Sequence, residues 1–394
     1  MIFSSTRIFC LWGLLFAVNL LYASPYNTKR VTNKKHVAAS AADTLYIWTG
    51  AVNTDWNNQN NWLVEGSVPA SPPTFGSIQG KYTKIPVLTN NNYPEITAQS
   101  GARALLIEEN AKVTILNGGV LKIIGSATDG VRNYGTLTNN GNMEVDSAYN
   151  DGVVNYAGAS IVNTATFTIN NGLGNRLENY GYINNSGTFE AAGGIEVSFI
   201  NHPNARLINT QSFTAKGGTN GALENSGKID NYQQFSVVGG YLGTVCINLD
   251  TLYNHTGGTF SINGGRQSLL DNAKYIKNEG TMNISRTGNT DANVYAIIHR
   301  EGASIYNTLS ATLTNGSFVK EGFENSGYIK NEGTWTCAGI GNPNQFLKNT
   351  SQGEIRNEGS WTFSGTSGNA IRNEGEISNG ASSSLSFTGS GGSS

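Results

Sequence analysis

The chain has 394 residues, 49 of them glycine, with 13% charged residues and a formal net charge of -2. Glycine without a three-residue period, beside only 8 prolines, excludes a collagen-like fibre. Regularly placed Ile, Val, Leu and Phe exclude a disordered chain. The near-zero charge gives no electrostatic reason to expect nucleic acid or an anionic membrane surface as partner.

Residues 1–23 read as a signal peptide: Arg7 supplies a positive start, Ile8 to Leu21 is mostly apolar, and Ala23 offers a small residue for cleavage. An apolar run of 14 residues is short for a ~30 Å hydrocarbon core, so no membrane span is expected in the mature chain. Residues 24–42 are polar and basic and read as a flexible leader. Residues 43–100 hold Trp48, Trp56, Trp62 and most of the 8 prolines. That density of tryptophan and turn residues predicts an N-terminal aromatic cap, which a solenoid end needs to cover its core and strand edges.

From residue 101 to 388 the sequence alternates apolar residues with period two, and from Val131 a longer repeat sets in. An apolar-x-Asn step recurs every 22 to 27 positions at Asn133, Asn155, Asn179, Asn201, Asn225, Asn248, Asn272, Asn325, Asn349 and Asn373, with His299 standing in once. A second Asn follows 6 or 8 positions later, at Asn139, Asn163, Asn185, Asn209, Asn231, Asn254, Asn278, Asn307, Asn331, Asn357 and Asn379. A third apolar patch follows each, for example Phe167/Ile169 or Trp361/Phe363. Three short strands per repeat predict an all-β fold: a right-handed parallel β-helix with three faces and about 11 regular coils. At about 4.8 Å per coil these would rise on the order of 50 Å. In such a stack each Asn lies over the next, so its amide can bond the one above while its backbone turns a corner. The alternation of 6 and 8 admits a six-bladed propeller instead, but antiparallel blades would show hairpin turns and no Asn column. Cys246 and Cys337 lie three coils apart, about 14 Å. Bridged cysteines need Cα atoms within about 7 Å, so both are expected as small buried apolar residues. Residues 389–394 read as a Gly/Ser tail.

The segments Trp48-Thr49-Gly50, Asp55-Trp56-Asn57-Asn58 and Asn61-Trp62, followed by Val68-Pro69 and Tyr93-Pro94, resemble the start of large secreted or surface-exposed bacterial β-helix proteins. The repeats, such as Asn325-Ser326-Gly327-Tyr328-Ile329-Lys330-Asn331-Glu332-Gly333-Thr334, are similar to adhesin-type and autotransporter-passenger coils, within the pectate-lyase-like architecture. The resemblance covers about residues 44 to 394 and implies a secreted or cell-surface protein. It implies adhesion or scaffolding, with glycans or other surface proteins as partners, and less often polysaccharide cleavage.

Candidate chemistry is sparse. Asp146 and Asp151 are the closest acidic pair on one coil, with Asp250, Asp271 and Asp291 scattered beyond. A lyase or glycosidase needs such groups clustered, and solvated turn residues explain them better. His36, His202, His255 and His299 lack metal-ligand spacing, and no nucleophile or phosphate-loop motif stands out. The sequence therefore points to no catalytic residue, metal or cofactor. Two columns carry more interest. Tyr134, Tyr156, Tyr180 and His202 follow the first Asn on four successive coils and would form an aromatic strip able to pack against sugars, or simply stabilise a corner. The residue before that Asn alternates between charged and apolar, from Arg132 and Val154 to Ile298 and Glu324. The apolar members are expected to be covered by the longer turns. No Thr-x-Thr column persists, which argues against an ice-binding array. The last coil, with Leu385 and Phe387, has no evident cap and admits end-to-end self-association.

Overall fold

The structure is a computed structural model that describes residues 44–65, 81–240, 242–286, 295–318, 321–339, 345–365 and 369–388. The signal peptide, the leader, the Gly/Ser tail and Asp291 lie outside the described residues. Three sheets of 15, 13 and 13 strands run the length of the stack, and each coil gives one strand to each sheet. Every strand pairing among the described residues is parallel between successive coils, except that Thr44–Trp48 meets Trp62–Val64 antiparallel, and the register is kept from coil to coil apart from a shift between Gly316 and Phe318. The chain is thus an all-β parallel β-solenoid, and the propeller is excluded because its blades would be antiparallel.

Each regular coil follows one pattern. A first-face strand such as Val153–Asn155 ends on Asn at the first corner, a second-face strand such as Ser160–Asn163 ends on Asn at the second, and a third-face strand completes the turn. Alternation directs Leu, Ile and Val inward from the first two faces and builds a phenylalanine column on the third. Phe167, Phe189, Phe213, Phe235 and Phe260 are fully buried, with successive ring centroids 4.6, 5.1, 4.8 and 4.8 Å apart. Cys246 and Cys337 are buried in this core and unbridged, as their coil separation predicts.

The Asn columns are hydrogen-bonded ladders. In the second column Asn139 Nδ2 donates to Asn163 Oδ1 at 2.7 Å, and the relay continues coil by coil to Asn357, which donates to Asn379 at 2.6 Å. From Asn139 to Asn357 in that column the second proton of the amide goes to a backbone carbonyl, as from Asn209 to Gln234 O at 2.8 Å. In three of the coils with the short gap, the glycine two residues on also donates to the Asn oxygen: Gly135 N to Asn133 Oδ1 at 3.2 Å, Gly181 N to Asn179 Oδ1 at 3.2 Å and Gly327 N to Asn325 Oδ1 at 3.3 Å. That position has no room for a side chain, because a Cβ on Gly135 would sit 2.2 Å from Ala111 O. Coils with the longer gap close a turn instead; Ala159 N donates to Tyr156 O at 3.0 Å, with Gly158 at φ +81°. The ladder rungs are buried up to the last coil, where Asn373 and Asn379 are exposed.

At the N-terminal end Trp48, Trp56 and Trp62 are fully buried and meet edge to face, with centroids 4.9 and 4.8 Å apart for the two pairs involving Trp62. Asn61 pins the loop between them, its Oδ1 accepting from Val52 N at 2.9 Å and Asn53 N at 3.1 Å. The antiparallel strand Trp62–Val64 terminates the first sheet, so a regular parallel edge is not presented there. The coils begin early: Lys81–Ile85 already pairs in the first sheet.

His299 occupies a rung of the first column. Asn272 Nδ2 lies 3.0 Å from its Nδ1, and its Nε2 lies 3.2 Å from Tyr328 O. An amide below can only donate, and a carbonyl above can only accept, so the rung requires neutral imidazole with its proton on Nε2. Burial, outweighing the bonds to Tyr328, Asn272 and Ala303, lowers the His299 pKa from 6.5 to about 4. The unfolded chain therefore binds this proton more readily than the folded one. Stability is lost as pH falls through 6.5, by roughly 3 kcal/mol once pH reaches about 4.

Two measurements check the ladder. In Asn231→Ala, the buried amide of Asn209 loses its side-chain acceptor and Asn254 loses its donor, so local opening measured by amide hydrogen exchange in the flanking coils becomes easier by roughly 1–3 kcal/mol. The same change at exposed Asn379 costs far less. For His299→Asn, which restores the repeat residue, the stability advantage over the parent grows from pH 7 to pH 4 in urea unfolding; an advantage independent of pH would refute the neutral-rung assignment.

Candidate functional site

The residue after the first ladder Asn points away from the core at the first corner. Because coils stack in register, Tyr134, Tyr156, Tyr180 and His202 form one column, as the sequence predicts. Their rings are nearly parallel: centroids are 3.9 Å apart for Tyr134–Tyr156, 6.2 Å for Tyr156–Tyr180 and 3.7 Å for Tyr180–His202. Burial and a hydrogen bond with Tyr134 raise the Tyr156 pKa above the ordinary phenol value, and burial with the Glu178 charge does the same for Tyr180. The Tyr180 hydroxyl donates to Glu178 Oε2 at 3.0 Å, and His202 Nε2 lies 3.5 Å from the same oxygen. Tyr156 and Tyr180 therefore keep their phenolic protons.

Stacking decides what this column can offer. A ring covered on both sides by neighbours presents only its edge and polar tip to solvent. Tyr134 is the first ring of the column, so its second face is turned toward the irregular coil below, where Glu108 is the residue in register beneath it. There the surface recedes into a hollow of about 440 Å³ lined by Tyr134, Val87, Leu106, Glu108, Glu109 and Asn110. Lys84 Nζ holds Glu108 at 2.6 Å. Asn110, at φ +64°, turns the rim, and the Tyr93 hydroxyl ties the wall together, accepting from Leu88 N at 3.1 Å and donating to Asn110 O at 3.4 Å. An aromatic ring at the end of its column, an apolar flank and two carboxylates beside an amide suit the recognition of a polyhydroxylated ring: the apolar side packs and the oxygens accept from hydroxyls.

The acidic residues singled out in the sequence do not converge. Asp146 Oδ1 accepts from Ser147 Oγ and Asn171 Nδ2, both at 3.0 Å. Asp151 is buried and caps a corner, its Oδ1 accepting from Asn175 N at 2.9 Å. Asp250 accepts from Thr251 Oγ1 at 3.1 Å, and Asp271 is paired to Arg300 at 2.6 Å. Among the described residues no group of three or more His, Cys, Asp or Glu could hold a metal ion. In the alternating column Val154 and Ile200 are buried, whereas Ile247 and Ile298 are half-buried; their charged partners are neutralised locally, as Arg132 by Asp129 at 2.8 Å and Glu324 by Lys348 at 2.8 Å.

The sequence reading found Tyr134 but not its companions, because Val87 and Glu108 to Asn110 precede the repeat and belong to no column. It also missed a polar column at the third corner. There Asp129 Oδ1 accepts from Asp151 N at 3.3 Å, Asp151 from Asn175 N, and Asn175 Oδ1 from Val197 N at 3.1 Å. Arg176, fully buried beside it, donates to the carbonyls of Asn171 and Gly174, and burial lowers its pKa against the opposing charges of Asp151 and Asp146. The spacing of 129, 151 and 175 carried that signal.

No family model, curated protein or solved structure matches this chain. The class that the fold defines is a parallel β-solenoid with paired Asn ladders. No helix among the described residues is long and apolar enough to cross a membrane.

Proposed function

We propose that the chain is an exported, non-catalytic β-helix of the secreted or cell-surface adhesin or scaffold kind that its sequence resembles, and that it binds a glycan in the hollow at the foot of the aromatic strip. The observation that carries this is Tyr134, the end ring of the strip, which lines the hollow together with Glu108, Glu109 and Asn110. Export is supported by the basic, apolar and small-residue order of residues 1–23. The three sheets supply rigidity, since every strand of the regular coils between the two ends is paired on both sides, so a shallow site keeps its shape without a ligand.

A glycan array with the full chain, followed by titration of the strongest neutral glycan, checks the proposal. Tyr134→Ala is expected to weaken binding about tenfold or more, by loss of the packing face, whereas Tyr180→Ala, which lines no part of the hollow, leaves affinity within about twofold. Absence of glycan binding, or equal binding by Tyr134→Ala, would sink the reading. Release of reducing ends that disappears in Glu108→Gln or Glu109→Gln would instead make the hollow the active site of a polysaccharide-cleaving enzyme.

A further inference from the structure

Beyond His202 the second face carries a cluster that the hollow does not use. The Asp230 side chain is 2% exposed, yet three basic groups converge on it: Arg206 Nη2 at 3.0 Å, Lys228 Nζ at 3.3 Å and His255 Nε2 at 3.1 Å. Although burial works the other way, the bonds from His255, Arg206 and Lys228 hold the Asp230 carboxyl below the usual carboxylate range. Asp230 is thus a fixed anion, and it orients the two cations beside it. Those cations are nearly half exposed, Arg206 at 47% and Lys228 at 46%. Arg206 spends Nε and Nη2 on Asp230, which leaves the Nη1 edge toward solvent.

Next to them stands a stack. His255 lies between Tyr232 and Tyr253, with centroids 3.9 and 3.6 Å away, and Lys277 Nζ sits 4.8 Å above the Tyr253 ring. Lys277 also pairs with Glu279 at 2.7 Å. Arg206 and Lys228 share the single carboxylate of Asp230, so positive charge is in excess at that pair, whereas Lys277 is matched by Glu279 and Asp250 Oδ1 accepts from Thr251 Oγ1 at 3.1 Å. Register places Arg206, Lys228, Thr251 and Tyr275 in one column on successive coils. Small Thr251 leaves a step between Lys228 and Tyr275, with Tyr253 two residues along the same strand.

We propose that Arg206 and Lys228, preset by Asp230, receive the anionic group of an acidic sugar, carboxylated or sulfated, whose ring lies over Thr251 against the edges of Tyr253 and Tyr275. This rests on reading the chain as a carbohydrate binder but uses no residue of the hollow. Single-stranded nucleic acid is a poorer occupant, because bases need open aromatic faces and those of Tyr253 and His255 are covered by their neighbours. An acidic peptide would gain most by adding to a sheet edge, and here every strand is already paired on both sides. A guanidinium and an ammonium held side by side match a planar or tetrahedral oxyanion.

The test uses the full chain at about 0.05 M salt, where a surface ion contact is weakly screened. Polygalacturonate supplies the carboxylate and heparin the sulfate. At least one is expected to bind, and the one preferred names the anion. Arg206→Gln/Lys228→Gln should weaken that binding about tenfold or more, Arg206→Lys/Lys228→Arg should retain most of it, and Tyr134→Ala should leave it unchanged. Thermal unfolding of the double variants like the parent establishes that the loss is local. The proposal is overturned if the glutamine variant binds as the parent does, if polyglutamate binds as tightly as the polysaccharides, or if the parent ignores both polyanions while still binding a neutral glycan through Tyr134. Silence toward neutral and acidic glycans alike would remove the carbohydrate reading as well.

Discussion

A buried primary amide has two protons and a carbonyl oxygen, and an apolar core tolerates it only when all three are used. Inside the ladders of this solenoid an Asn gives one proton to the Asn one coil on and the other to a backbone carbonyl, and accepts from the Asn one coil back, as Asn231 does between Asn209 and Asn254. The requirement can be met only if the neighbouring coils exist and stand in register. It therefore couples each turn of chain to the next more strictly than hydrophobic stacking would, since a Leu or Phe column survives a small slip and a 2.8 Å amide bond does not. The donation runs in one sense, from lower to higher residue number, which gives the two ends different problems. At the first rung the Asn oxygens meet the irregular coil and its Ile107 and Ile115. In the last described coil Asn373 and Asn379 stand exposed to solvent.

The same requirement explains why so much of the fold is legible in the sequence. A position whose chemistry is fixed by neighbours above and below admits one residue type, so Asn recurs without drift over 11 coils in the second column, and the single exception, His299, has an acceptor and a donor in the same places. The third corner is less legible because its column mixes Asp129, Asp151 and Asn175 and is satisfied through backbone N–H groups, which any residue supplies. The tryptophan cap reads as a cluster in the sequence, but its antiparallel strand does not, because Trp62–Val64 is three residues long and carries no hairpin signal.

The surface is legible only where it copies the ladder. The strip from Tyr134 to His202 inherits the register of the Asn before it, so its members appear as a column; whether a ring offers its face or its edge depends on side-chain torsions that spacing does not encode. The hollow is harder still, since Val87, Leu106 to Asn110 and Tyr134 come from three separate stretches of chain. The cluster around Asp230 crosses columns: Arg206 and Lys228 start second-face strands, Asp230 and Tyr253 lie two positions on, and Tyr232 and His255 follow the ladder Asn. Only the coil geometry brings those three offsets together.

A stacked column also limits what repetition can do for binding. Inside it, each ring gains contact by covering its neighbour, and the gain is largest when no face is left over. Regularity thus stabilises the corner and, by the same contacts, withdraws the surface on which a ligand could pack. A face becomes available only where the column stops, as at Tyr134, where Glu108, the residue in register below, is a carboxylate and not a ring, and at His202, where the next coil carries Ser226. The charge on the second face follows the same logic. Further along the second face each exposed cation has a carboxylate two residues away in the next column, as Lys330 has Glu332 and Arg356 has Glu358. Lys228 keeps that arrangement with Asp230, but at Arg206 it lapses, because Ile208 stands two residues on, and the one buried carboxylate must serve both cations. Recognition chemistry in a solenoid is therefore to be sought at the interruptions of its columns, where the contacts that hold the coils together fail to consume the groups that could hold something else.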